Sequence, residues 1–121
     1  MKKEPTEKEI ENSILDYLQT QDVFFWKNQS VGIYDPIKKT FRRPGKFHVN
    51  GVADILGLIP PSGKLVAIEV KRRKGKTTKA QDDFLQVVSD NGGESFVARS
   101  IEDVEEKLNE LQTKNNQEDC R

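Results

Sequence analysis

Apolar positions along the chain follow two periods. Between residues 7 and 19 they recur as Ile10, Ile14, Leu15, Tyr17 and Leu18, a stripe at helical spacing. Thr6 precedes the stripe as an N-cap, and Glu9, three positions on, completes a capping box. Val23-Phe24-Phe25-Trp26-Lys27 reads as a short aromatic strand. Val31-Gly32-Ile33-Tyr34 and Thr40-Phe41-Arg42-Arg43 flank an Asp35-Pro36 turn as the arms of a hairpin, polar and basic enough to protrude. Residues 52–59 and 65–70 are Val-, Ile- and Leu-rich runs parted by the turn cluster Pro60-Pro61-Ser62-Gly63, and they read as neighbouring buried strands. Thr78, with Gln81 at the capping-box position, opens a second helix whose buried stripe is Ala80, Phe84, Val87 and Val88. Asn91-Gly92-Gly93 ends that helix, and residues 94–99 form a further strand. Ser100 caps a last helix with Ile101, Val104, Leu108 and Leu111 at core spacing.

This order predicts an α/β domain, a small mixed β-sheet flanked by helices. The link from the 65–70 strand through the second helix to the 94–99 strand is long enough for a parallel crossover. A chain of 121 residues holds one such domain. Its expected limits are residues 6–112, after a flexible stretch at 1–5 and before a polar, disordered tail at 113–121.

Charge interrupts the apolar pattern in two places. Asp54 lies in one buried run, and Glu69 and Lys71 lie in and just after the other. Alternation puts Leu65, Ala67, Glu69 and Lys71 on one face and Val66, Ile68 and Val70 on the other, with Glu69 and Lys71 roughly 7 Å apart. Pairing of the two strands would bring Asp54 beside Glu69. Carboxylates about 4 Å apart repel by roughly 4 kcal/mol at an effective dielectric near 20, so one takes up a proton or a cation intervenes. Mg²⁺ suits the spot, because it binds through one or two carboxylates plus waters and substrate phosphate; the Val70 carbonyl would add a ligand. Lys71 would orient a bound water, stabilise developing charge or act as general base. Gln81 would hold the water or Lys71 in place. Glu7 and Glu11 fall inside the first helix's apolar stripe, where an unpaired acid is costly; Glu7 alternatively complements the helix dipole. Gly51 is expected to let a substrate backbone approach Asp54. Taken singly, Asp54 reads as a strand-end surface acid, and Glu69 with Lys71 as an exposed ion pair. Their coincidence on apolar strands, with Gln81 beyond, favours the site.

Composition narrows the chemistry. Cys120 is the only cysteine and His48 the only histidine, which excludes an intrachain disulfide and thiolate or multi-His zinc sites. No run is apolar enough to span a bilayer and no secretory signal is visible, so a cytoplasmic protein without a membrane partner is expected. The sequon Asn28-Gln29-Ser30 then carries no weight. Net charge is zero, but it is segregated. Lys38, Lys39, Arg42, Arg43 and Lys46 form one basic run; Lys71, Arg72, Arg73, Lys74, Lys76 and Lys79 form another. The acids Glu102, Asp103, Glu105, Glu106 and Glu110 gather near the C-terminus. Such a distribution suits a polyanion, or simply two solvated loops.

Gly51-Val52-Ala53-Asp54, Ile68-Glu69-Val70-Lys71 and then Gln81 resemble the PD-(D/E)XK nuclease motif, with Asp54, Glu69 and Lys71 in its defining places and Ala53 where the motif's name has Pro. More narrowly, residues 6–111 resemble small bacterial and phage VRR-NUC domains. Thr6-Glu7-Lys8-Glu9-Ile10, Phe25-Trp26-Lys27-Asn28, the Glu69-Val70-Lys71 strand, Gln81, and Gly92-Gly93 before Val97-Ala98-Arg99-Ser100 match in order. The resemblance implies a restriction-endonuclease-like core and Mg²⁺- or Mn²⁺-dependent DNA cleavage leaving 5′-phosphate, with some members acting on branched DNA as homodimers. The family's first-helix acid corresponds to Glu7 or Glu11. Asp54 and Glu69 would bind metal. Lys38, Lys39, Arg42, Arg43, Arg72, Arg73, Lys74 and Lys76 would contact the DNA backbone; nothing resembles a base-reading helix, so shape rather than sequence would be recognised. The alternatives are a non-catalytic nucleic-acid-binding module on the same scaffold, and a domain whose basic hairpin docks on an acidic protein.

Overall fold

A computed structural model of the chain describes residues 3–29, 34–41 and 46–119. The elements, in order, are α1 (Glu7–Gln19), β1 (Phe24–Lys27), β2 (Tyr34–Asp35), β3 (Thr40–Phe41), β4 (Ile55–Ile59), β5 (Lys64–Val70), α2 (Lys79–Asp90), β6 (Glu94–Ala98) and α3 (Ile101–Asp119). One four-stranded sheet runs β1-β4-β5-β6. Its first two pairings are antiparallel; β5 and β6 are parallel and joined through α2, so the sheet is mixed. β2 and β3 pair with each other as a separate ribbon. The outer hairpin residues Val31, Gly32, Ile33, Arg42 and Arg43 lie outside the described residues.

Period-2 alternation divides the core between the two sheet faces. On one face Ile55, Ile59, Val66, Ile68 and Val70 pack against Ile10, Ile14 and Leu18 of α1 and Val104, Leu108 and Leu111 of α3. Each such side chain, fully buried, is worth about 1.5–3 kcal/mol. On the other face Ala67, with Leu56 and Leu65 beside it, packs against Phe84, Leu85 and Val88 of α2. Both α1 and α2 start on complete capping boxes, Thr6 with Glu9 and Thr78 with Gln81.

Three features differ from expectation. The strand predicted from residue 52 begins at Ile55. Ala53 packs on the α2 side of the sheet and Ile55 on the α1 side, whereas a straight strand would send both the same way. The bend between them falls at Asp54. On α2 the buried stripe is rotated by one position: Leu85 packs inward, and Val87, expected inside, is 56% exposed. α3 runs to Asp119, past Leu111, the last core position expected on it, with no Gly or Pro between them to stop it. Among the described residues no helix is long and apolar enough to cross a membrane.

Candidate active site

The register of β4 on β5 pairs Ile55 with Ile68, so its continuation sets Asp54 against Glu69. The bend at Asp54 frees its side chain to reach across the strand ends. Its Oδ2 accepts the backbone N–H of Val70 at 2.8 Å, where the ladder offers Val70 no main-chain partner beyond Ile55. Asp54 is fixed on its other side as well, since its carbonyl accepts the N–H of Asn28 at 2.8 Å just past β1. A residue's N–H and C=O point to the same side of an extended strand. Val70 therefore directs its carbonyl toward the Asp54 side, while the next amide, that of Lys71, bonds the carbonyl of Ala98 on β6.

Glu69 is the most unusual residue of the fold. It sits at the end of a hydrophobic strand and is 1% exposed; Lys71, two positions on, is 9% exposed. Burial of this kind rules out the exposed ion pair that Glu69 and Lys71 suggest when read alone. The two approach to 3.9 Å through Glu69 Oε1. The same oxygen accepts a hydrogen bond from Gln81 Nε2 at 2.8 Å. Gln81 meanwhile accepts the Thr78 N–H through its own Oε1 at 2.9 Å. One amide thus closes the capping box of α2 and grips Glu69, where the sequence pointed to a bound water or Lys71 as its partner. Glu69 Oε2 is buried without a hydrogen-bond partner. Burial first, then the neighbouring Asp54 carboxylate, push the Glu69 carboxyl up to about 8; Lys71 pulls it down and Glu7 adds to the rise.

Gly51 serves a purpose other than the one expected. With φ +75°, it faces the first turn of α2 so closely that a Cβ would lie 2.3 Å from the Ala80 backbone and 2.6 Å from the Gln81 nitrogen. The space left by the missing side chain holds the helix, not a substrate backbone. It brings Gln81 against the chain leading into Asp54.

α1 adds its acids from the opposite sheet face. Glu11 pairs with Lys27 of β1 at 3.6 Å, yet its Oε1 is buried without a hydrogen-bond partner. Its pKa is raised, mainly by burial and also by Asp54, against the lowering effect of Lys27. Glu7 acts electrostatically on both Glu11 and Glu69. Both helix acids therefore lie within electrostatic reach of the Asp54–Glu69 pair. Among the described residues no three of the His, Cys, Asp and Glu side chains form a ready metal cage. What converges is a pair of carboxylates, one carrying an unpartnered buried oxygen, and that donor set fits a cation that retains most of its water.

Two residues within the matching motifs gain a place that residue type alone did not reveal. Lys27 is one, through Glu11. Arg99 is the other: its Nη1 donates to the carbonyls of Arg72 (2.5 Å), Gly75 (2.8 Å) and Arg73 (3.3 Å), tying down the basic loop after β5. The side chains of Arg72, Arg73, Lys74 and Lys76 on that loop are exposed. Lys38 and Lys39 are exposed on the β2–β3 turn, and Arg42 and Arg43 lie outside the described residues.

The mixed sheet, the crossover helix and two acids with a lysine at the strand ends define a nuclease fold of the PD-(D/E)XK class. A VRR-NUC domain family model matches residues 38–102. The chain belongs to the VRR-NUC domain family. A solved structure described as a VRR_NUC domain protein shares the fold, with a TM-score of 0.66 and 16% identity over 88% of each chain. A search of curated proteins finds no match. Membership implies a nuclease-type function, and hence a nucleic acid as substrate. Ala53, at the place for which the motif's name has Pro, is fully buried against α2 and serves packing.

Proposed function

We propose that the chain is a Mg²⁺-dependent DNA endonuclease, with Mn²⁺ able to substitute, selective for branched or flapped DNA rather than for base sequence. The observation that carries this reading is the Glu69 carboxyl: buried at the end of an apolar strand, half-satisfied by Gln81, and set against a second acid. Such an arrangement destabilises the fold by itself, and it gives a mere phosphate-binding surface nothing, since acids repel phosphate. Asp54 and Glu69, with the Val70 carbonyl, would hold the cation. When bound, the cation supplies a water of lowered pKa and neutralises charge on the phosphate.

The protein's own groups do the rest. Lys71 orients the attacking water and offsets the charge that develops on the phosphoryl oxygens. Gln81 keeps Glu69 in one rotamer. Glu7 and Glu11 add negative charge that draws a divalent cation to the Asp54–Glu69 pair. Lys38, Lys39, Arg42, Arg43, Arg72, Arg73, Lys74 and Lys76 position the DNA backbone. A homodimer would set two such centres on a four-armed substrate.

The test is nicking of supercoiled, forked and four-way DNA in Mg²⁺ by the wild type, Asp54→Ala and Glu69→Ala. Both variants should lose nicking while still binding DNA. Undiminished nicking by either would remove the metal-binding role and favour the non-catalytic binding module.

A further inference from the structure

Among the described residues, the face of the sheet that carries Glu69 is only half covered. α2 lies over β5 and β6, and the β1–β4 half keeps Phe24 70%, Trp26 39% and Leu58 37% exposed. Alternation explains why these are the outward ones. Phe25 and Lys27 turn to the α1 side, where Phe25 packs on the core and Lys27 meets Glu11, so Phe24 and Trp26 face the other way. Phe24 is registered with Leu58 and Trp26 with Leu56. The same register, carried two residues on, sets Asn28 against Asp54, where the Asn28 N–H bonds the Asp54 carbonyl. Trp26 therefore stands about 7 Å along the sheet and about 5 Å across it from Asp54. Phe24 continues the same line, its ring centroid 6.0 Å from that of Trp26 and tilted by 50°. β1 is the edge strand, and among the described residues no further strand of the sheet lies beyond it.

We propose that Trp26 and Phe24 form a stacking track for unpaired nucleobases of the strand whose phosphate lies at Asp54 and Glu69. The proposal rests on the nuclease reading and extends it to the source of structure selectivity: bases in a duplex are already stacked, whereas those at a flap or fork are free to lie on an aromatic face. The size of the patch favours this occupant over a second copy of the chain. Three partly exposed side chains present on the order of 300 Å², well short of the roughly 800 Å² per partner of a stable protein interface.

Trp26 is the only tryptophan, so its emission reports the track directly. The experiment titrates the protein, in EDTA, with oligo-dT, a forked DNA and a blunt duplex. Oligo-dT and the fork should quench Trp26, and the duplex should leave it bright. Phe24→Ala and Trp26→Ala should each weaken fork binding roughly tenfold and change duplex binding less than twofold. Phe24 is the more exposed ring, so its variant keeps the test valid if Trp26→Ala folds poorly. Equal losses on fork and duplex, or unchanged fork binding, would overturn the track. Emission that shifts with protein concentration alone and ignores DNA would assign the patch to a second copy instead. A wild type that nicks DNA in Mg²⁺ but shows no quenching loses the track only; a chain that neither binds nor nicks any DNA loses the nuclease reading with it.

Discussion

A buried carboxyl with its pKa near 8 is a stability statement as well as a chemical one. The folded state holds Glu69's proton up to about 8, and the unfolded chain releases it near 4.5. Above 4.5 the unfolded state therefore binds fewer protons, and stability falls as pH rises through this window. The contribution is complete below 4.5 and gone once pH passes about 8. A cation at the proposed site competes with that proton and should reverse the trend. Melting temperature measured with and without Mg²⁺ should show a gain that grows from pH 5.5 to 8; a gain independent of pH would place the cation elsewhere. Lys71 belongs to the same scale. Lys71→Ala should lower single-turnover cleavage by a hundredfold or so, an electrostatic loss of about 3 kcal/mol, with DNA affinity within about threefold. A variant that cuts at the wild-type rate removes Lys71 from the chemistry.

At the scale of elements, much was legible because local rules and tertiary need agree. Thr6 with Glu9 and Thr78 with Gln81 are capping boxes in the sequence and in the fold. The two apolar runs around Pro60-Pro61-Ser62-Gly63 are antiparallel neighbours, and the crossover through α2 is parallel. What escaped reading depends on contacts distant along the chain. Nothing local marks Gly51 as a seat for α2, since the clash it avoids is with Ala80 and Gln81, some thirty positions on. Nothing in Gln81 tells that its amide bonds Glu69 as well as its own helix start, or in Arg99 that it gathers the carbonyls of Arg72, Arg73 and Gly75. The bend at Asp54 is hidden for the same reason: strand propensity runs on through Val52 and Ala53, and only the opposed burial of Ala53 and Ile55 forces the break. Gly51→Ala should therefore cost at least about 1–3 kcal/mol, from overpacking on top of positive φ, read as a lower urea midpoint. A neutral substitution would mean that α2 is free to back away.

For the molecule as a whole, a net charge of zero hides a division of labour. The basic loop after β5 carries Arg72, Arg73 and Lys74 outward beside Lys71, while α3 begins with Glu102 and Asp103. Neutralising Arg72, Arg73 and Lys74 together should weaken DNA binding and lower the slope of log affinity against log salt by about two to three. An unchanged slope would put the DNA on another surface. The same molecule has joined two tasks in one side-chain amide, that of Gln81, which starts a helix and steadies an acid at once. Fraying of that first turn needs far less energy than global melting. Warming should therefore silence hydrolysis some degrees before the chain unravels, and a bound cation, by pinning the acid from its other side, should narrow that interval.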